Sequence, residues 1–443
     1  LKINLLKAPK AIINFIINLK SNYWFIPAVM TLLGVIASIV MVELDQLTSV
    51  SWLRELKFIT LNQPDGARAL LSTIAGSMIT VAGVTFSMTL LSVAHASSQI
   101  GPRILSGFMN DRGNQFTLGT FVSTFVYCVL VLRTVHSKIE ASGGVDKTEA
   151  FIPHLAIFLA IILALLSVSM LIYFVHHVPQ TISMTNAVNR VGEQLIEKIN
   201  KAFPKSENKS NEYAKIPEEF EKNKREVIIN KNGFFKFADI DSLTELANEH
   251  DTFIKLHCSP GEFIFPGTTI ASYLFKETNL DDEISSKFFF GKQRSIIQDF
   301  YFPADLLIEV AARALSPGVN DPYTATECIN QLCSALITAS QRLPAEVYKY
   351  SEGDVLRVSI IPAKKIEFLN HFCDKIRFYC KEDLITTVHL IESLSKAIKI
   401  IDDPEIQKAL ISHIKHTYTD YKKSNSSTRD LSLVEDKYKD AIA

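Results

Sequence analysis

Four long apolar stretches before residue 176 constrain this chain more than anything else in it. A helix that crosses roughly 30 Å of hydrocarbon at 1.5 Å per residue needs about 20 predominantly apolar residues. Residues 24–42, 69–94, 116–135 and 152–175 each meet that demand, and the first carries no charge. Tyr23 and Trp24 stand at its start, where an interfacial aromatic belt would place them. Arg133 lies near the end of the third stretch, within reach of the headgroups when its side chain is extended.

The rest of the chain is different in character. Charged residues make up 21% of the sequence and the mean hydropathy is +0.16, too apolar for an ordinary soluble protein and too polar for one lying wholly in lipid. At 443 residues there is room for a membrane bundle and a separate globular domain with its own core. The expected fold is a membrane α-helical bundle of four transmembrane helices plus a C-terminal cytoplasmic α+β domain containing a small β-rich module. Its expected divisions are an amphipathic N-terminal segment at 1–23, the transmembrane domain at 24–178 and a juxtamembrane helix at 179–203. A solvated linker at 204–225, the α+β domain at 226–421 and a polar tail at 422–443, expected to be loose, complete it.

Orientation follows from the lysines and arginines of the short flanking segments. Lys2, Lys7, Lys10 and Lys20 precede the first span with no acid among them, whereas the loops at 43–67 and 136–150 carry more acids than bases. Those loops read as outside. The N-terminus, the segment 95–115 and the domain after His176 are then expected to face the cytoplasm. No signal peptide with a small-residue cleavage site is visible, which leaves insertion to the spans themselves.

The second span has an unusual face. Ser72, Gly76, Thr80, Gly83 and Ser87 fall within about 80° of one another at 100° per residue, a single small and polar stripe. Ile74, Met78, Val81 and Met88 are expected on the other side. Small residues permit close helix approach, so the stripe reads first as a tight helix seam; hydroxyls in lipid also want partners or water, so the lining of a solute path is the second reading. Gln99, Arg103 and Arg112 would stand at the inner mouth of any such path.

In the C-terminal part, apolar residues at Val188, Val191, Leu195 and Ile199 predict an amphipathic helix that continues from the fourth span. Two β-prone runs flank Asn232-Gly233, a hairpin signal. Ser242 and Glu245 have capping-box spacing at the head of a short helix over 241–250. Strands are expected at 252–258, 262–274 and 355–361, and helices at 304–315, 322–340 and from 364 onward. In the stretch from Ser316 to Pro322, a Pro-Gly turn leads to Asp321 as N-cap and Pro322 as first helical residue. Arg294 or Arg313 could supply charge to an anion at that helix end, with Asp299 and Asn320 orienting a polar ligand. The Asp321 carboxylate argues against an anion there.

Two sets of motifs carry a family likeness. Gly83-Val84-Thr85-Phe86-Ser87, Ser98-Gln99-Ile100-Gly101-Pro102-Arg103 and Asp111-Arg112-Gly113-Asn114-Gln115 form the first. Gly291-Lys292-Gln293-Arg294, Gln298-Asp299 and the run from Arg313 to Pro322 form the second. Together they resemble a bacterial family of predicted membrane proteins, a domain of unknown function (family 2254). Ser295 stands where that pattern leads one to expect Thr. The likeness implies a bacterial inner-membrane setting and brings no catalytic residues.

The function classes left are few. A net charge of −1, with 46 basic against 47 acidic residues, offers nucleic acid no general attraction. The six cysteines form no Cys-x-x-Cys pair, and phosphate loops, zincin motifs and nucleophile elbows are missing from the sequence. His176-His177 and His413 with His416 are read as structural, and neither a cofactor nor a metal is expected. A channel-like or transport homo-oligomer in the lipid bilayer is the first reading, with the cytoplasmic domain assembling or gating it. A membrane-anchored sensor or scaffold is the second, and an enzyme of the membrane surface the third.

Overall fold

The computed structural model describes residues 23–47, 63–100, 111–136, 151–204, 216–294, 298–342, 348–350 and 355–442, with the side chains of 95–100 and 179–182 left aside. Nearly all of the expected N-terminal segment, most of the stretches 43–67 and 136–150 and the centre of the expected linker lie outside these residues, as do the Gln99 and Arg103 side chains and Ser295. The chain divides into two compact units, residues 1–183 and 184–443.

The first unit holds four helices long and apolar enough to span a bilayer. They are α1 (Phe25–Leu47), α2 (Pro64–Ile100), α3 (Arg112–Leu132) and α4 (His154–Ile182). Each apolar stretch became a helix, and three extend further than hydropathy alone implies. Asp111 caps α3 by accepting the Asn114 N–H at 3.2 Å, so the polar motif expected as a connection forms the first turn of that helix.

Helix α3 packs against the other three helices and is the most enclosed. Its contact with α1 is close because small residues face each other. A β-carbon on Gly34 would lie 2.5 Å from Ser123 Oγ, and one on Gly119 would lie 2.5 Å from Met30 Sδ. Ser123 Oγ donates to the Met30 carbonyl at 2.8 Å. Toward α4, Thr124 and Ser167 share a hydrogen bond of 3.2 Å, and Tyr127 Oη donates to the Ala156 carbonyl at 2.9 Å. Buried hydroxyls thus find partners without water.

The second unit begins after a break at Ser183 with α5 (Met184–Ala202). Its apolar side, Val188, Val191, Leu195 and Ile199, is buried as the spacing predicts. After α6 (Phe220–Asn223) come β1 (Lys224–Ile229), β2 (Gly233–Ala238), α7 (Ile240–Glu249), β3 (Ile254–Leu256), β4 (Phe263–Ile264), β5 (Thr268–Leu274), α8 (Asp281–Ser286) and β6 (Phe288–Gly291). Helices α9 (Tyr301–Ala314) and α10 (Pro322–Ser340) follow, then β7 (Tyr348–Tyr350) and β8 (Leu356–Ser359). Four helices end the unit: α11 (Lys365–Cys380), α12 (Leu384–Ile400), α13 (Pro404–Ser424) and α14 (Thr428–Ile442).

The β-rich module is two sheets around one core, one of five strands in the order β1-β5-β3-β8-β7 and one of three in the order β4-β2-β6. Val227, Phe235, Ile254, Ile270, Tyr273 and Val358 meet in that core. All pairings are antiparallel except β3 with β8.

Three expectations are corrected here. Asn232-Gly233 does not close a hairpin: β1 pairs with β5 while β2 pairs with β4 and β6, so the two runs enter different sheets. The cap of α7 is Asp239, which accepts from the Ser242 N–H at 3.1 Å and from its hydroxyl at 2.8 Å, so Ser242 is a donor inside the first turn. The polar tail is ordered helix. Val434 of α14 is fully buried, Tyr438 stacks on Tyr418 at 4.5 Å, and Lys437 pairs with Glu392 at 2.6 Å. One buried anchor with aromatic and ionic contacts holds a segment that its composition reads as solvated.

Candidate functional site

The stripe on α2 faces away from its own bundle. Ser72, Gly76, Thr80, Gly83 and Ser87 are exposed, while Ala67, Leu71, Ala75, Met78, Ala82, Thr85 and Thr89 form the packed side. Among the described residues a β-carbon at Gly76 or Gly83 would meet no atom within 4 Å. Within the chain the stripe therefore makes no seam; the close seam is the Gly34 and Gly119 contact of α1 with α3. Met88, expected opposite the stripe, lies beside it and lines an outward groove with Thr80, Gly83, Val84 and Ser87. The hydroxyls of Thr73, Ser77 and Thr80 donate to the carbonyls of Ala69, Thr73 and Gly76 at 2.7–2.8 Å. Each is satisfied by its own helix, so this face can meet either lipid or a neighbouring helix.

A second polar group gathers at the head of α3. His177 Nε2 lies 3.0 and 3.1 Å from the two oxygens of Asp111, and the Tyr173 ring stacks on His177 at 4.9 Å. A β-carbon on Gly113 would approach Tyr173 Oη to 2.6 Å, His177 Nε2 to 2.7 Å and Asp111 Oδ1 to 2.9 Å, so the site is built around a glycine. Asn114 and Gln115 are buried directly behind it. Arg112, expected at an inner mouth, points outward and is exposed. Sequence reading took His176-His177 as a simple pair and missed the Asp111 partnership, because nothing local joins positions 111 and 177.

In the second unit the expected ligand residues form two clusters. Arg294 binds Asp299 Oδ2 through Nε and Nη2 at 2.9 and 2.6 Å, and Asp305 through Nη1 at 2.7 Å. Asp299 Oδ1 accepts the Tyr301 and Phe302 N–H groups at the head of α9, and Asp305 Oδ1 accepts from His371 and Lys375 at 2.7 and 2.8 Å. Burial raises the Asp299 carboxyl above its ordinary range even beside Arg294. At Asp305 burial acts the same way, but the hydrogen bonds from His371, Lys375 and Arg294 outweigh it and hold the carboxyl below the carboxylate range. The Arg294 charge is committed to two carboxylates and is not presented to an outside anion.

Arg313, Ser316, Asn320 and Asp321 belong to the other cluster, the turn between α9 and α10. Asp321 accepts the Thr324 N–H at 3.2 Å and its hydroxyl at 2.6 Å, and Pro322 begins the helix. Asn320 takes the left-handed conformation at φ +50°, its N–H bonded to the Ser316 carbonyl at 2.9 Å. Ser316 Oγ donates to the Arg313 carbonyl at 2.6 Å, and Arg313 pairs with Glu309 at 3.5 Å. The turn leaves Val319 and Tyr323 exposed.

The six cysteines are all free and buried, and burial pushes the Cys258, Cys333 and Cys380 thiols up to about 12, where thiolate is scarce. Among the described residues no three His, Cys, Asp or Glu side chains converge as a metal site. His413 is buried and bonded through Nε2 to Asn370 at 2.9 Å.

Four membrane-length helices joined to a mixed α and β unit define an integral membrane protein with a large extramembrane domain. The chain belongs to the family described as Predicted membrane protein (DUF2254), whose model matches residues 20–396 and so takes in both sets of motifs. It is 27% identical over 420 residues to uncharacterized proteins of Mycobacterium bovis and Mycobacterium tuberculosis, covering 93% of this chain and 78% of theirs. No solved structure matches it significantly.

Proposed function

We propose that the protein is a channel-like transport homo-oligomer of a bacterial inner membrane, assembled through the outward face of α2, with its second unit in the cytoplasm as an assembly or gating domain. The observation that carries this reading is the direction of the stripe. A face of Ser72, Gly76, Thr80, Gly83 and Ser87 gains little from lipid tails, whereas small residues spaced by three and four let another helix approach closely. Copies arranged about an axis bring these faces together, and their hydroxyls then line whatever space remains. The excess of lysines before α1 favours the cytoplasmic orientation.

The test is assembly and flux measured on the same protein. In nanodiscs the wild type should form a ring, and its liposomes should pass ions. Gly83→Leu should separate the copies. Thr80→Asp, facing water, should keep assembly and shift conduction toward cations; in a dry contact it would cost several kcal/mol and disrupt assembly. A monomer with ion-tight liposomes would sink the reading. Cysteines at Gln63 and Asn279 test orientation, since only the former should label from outside intact cells.

An anchored sensor or scaffold is the second reading, favoured by the exposed Val319 and Tyr323 on the rigid turn of the second motif.

A further inference from the structure

The packed side of α2 carries a different feature from its outward stripe. Thr85 and Thr89 of α2 and Asn114 and Thr117 of α3 line one small cavity, which Tyr23, Phe86 and Phe174 help to wall. All four polar residues are more than nine-tenths buried, at 5%, 6%, 3% and 1% exposure. Each hydroxyl has already used its proton. Thr85 donates to the Val81 and Ala82 carbonyls, Thr89 to that of Thr85, and Thr117 to that of Gly113, all at 2.8–3.0 Å. Among the described residues Asn114 Oδ1 has no hydrogen-bond partner.

The three threonine oxygens and Asn114 Oδ1 therefore keep free lone pairs, and the threonines have no hydroxyl proton left to offer. A buried acceptor left unsatisfied in a membrane span costs free energy, and such groups in spans mark ion sites. No water-sized sphere fits between these side chains, so a water in this space does not complete Asn114. A bare sodium ion is smaller than water and takes oxygen ligands at shorter range. A carboxylate is at hand: Asp111 heads the same helix and accepts the Asn114 backbone N–H at 3.2 Å.

We propose that Thr85, Thr89, Asn114 and Thr117 bind a dehydrated sodium ion inside the helical bundle of each chain. The site stands apart from the outward stripe and does not require that face to carry ions.

Purified protein in detergent should be titrated with NaCl, KCl and choline chloride at constant ionic strength, reading melting temperature and bound radioactive sodium. NaCl should raise the melting temperature saturably, and the other two salts should not. Thr89→Val and Thr117→Val keep side-chain shape while removing one oxygen each, and each should weaken sodium binding roughly 10-fold or more. Ser87→Ala, on the outward face, should leave it unchanged. Equal responses to the three salts would overturn the proposal, as would unchanged sodium binding in both valine variants. Asn114→Leu should abolish the response, but the valine variants decide the matter even if that protein fails to fold.

Discussion

Asp45 caps a helix that is not its own: its Oδ2, near the end of α1, accepts the N–H of Ala156 in the first turn of α4 at 3.0 Å. Its Oδ1 takes the Leu155 N–H at 2.9 Å, while Pro153, at the N-cap position, offers no side-chain bond. Helix starts leave several N–H groups without intrahelical partners, and a carboxylate there also meets the positive end of the helix dipole. Asp45→Ala should cost about 1–2 kcal/mol, read as a lower melting temperature in detergent, and Asp45→Asn should recover part of it. An unchanged melting temperature for Asp45→Ala would mean that the two N–H groups find other acceptors.

The turn between α9 and α10 separates backbone needs from side-chain needs. Glycine adopts the Asn320 conformation freely, so Asn320→Gly should change stability by less than about 0.5 kcal/mol, whereas Asn320→Val should cost about 1–2 kcal/mol. Asp321→Ala removes the cap and should cost about 1 kcal/mol. If Asn320→Gly melts like the wild type yet fails to complement a deletion strain, the exposed amide is recognised by a partner, and the sensor or scaffold reading gains over the transport one.

Asp305 ties part of the stability to strongly acidic pH. Its folded carboxyl sits below the ordinary range, so its contribution is fully present above the unfolded value of about 3.9 and is lost as pH falls from there toward the folded value. Asp305→Asn lacks that contribution at every pH. The gap in melting temperature between wild type and Asp305→Asn should therefore be constant from pH 7 to about pH 5 and narrow below about pH 4. Parallel curves across that range would show that the bonds from Arg294, His371 and Lys375 do not favour the ionised form.

These features differ in how legible they were. The four spans could be read because a long apolar run has few alternatives, and α5 because its apolar residues recur at helical spacing. Periodicity also found which α2 residues share a face. It could not say which face packs, since Ala75 and Ala82 are nearly as small as Gly76 and Gly83 and it is the former pair that turns inward. Asn232-Gly233 misled because a local turn signal competes with strand partners much later in the chain, at Thr268–Leu274 and Phe288–Gly291. The same limit hid Asp111 with His177, and Arg294 with Asp305 and His371. Helix α14 was lost for another reason: Leu431, Leu433 and Val434 give one short apolar run among polar residues, and burial of Val434 by α12 and α13 supplies the rest.

The parallel pair of β3 and β8 also sets an order on how the protein is made. Ile254 cannot meet Val358 until the chain through α9, α10 and β7 has been synthesised. At translation rates of about 5–20 residues per second, β3 waits on the order of 5 to 20 seconds for its neighbour, with one edge unpaired. The four membrane helices have all left the ribosome before that interval starts. Any assembly through α2 can thus begin while the sheet is still open, before the second unit is complete.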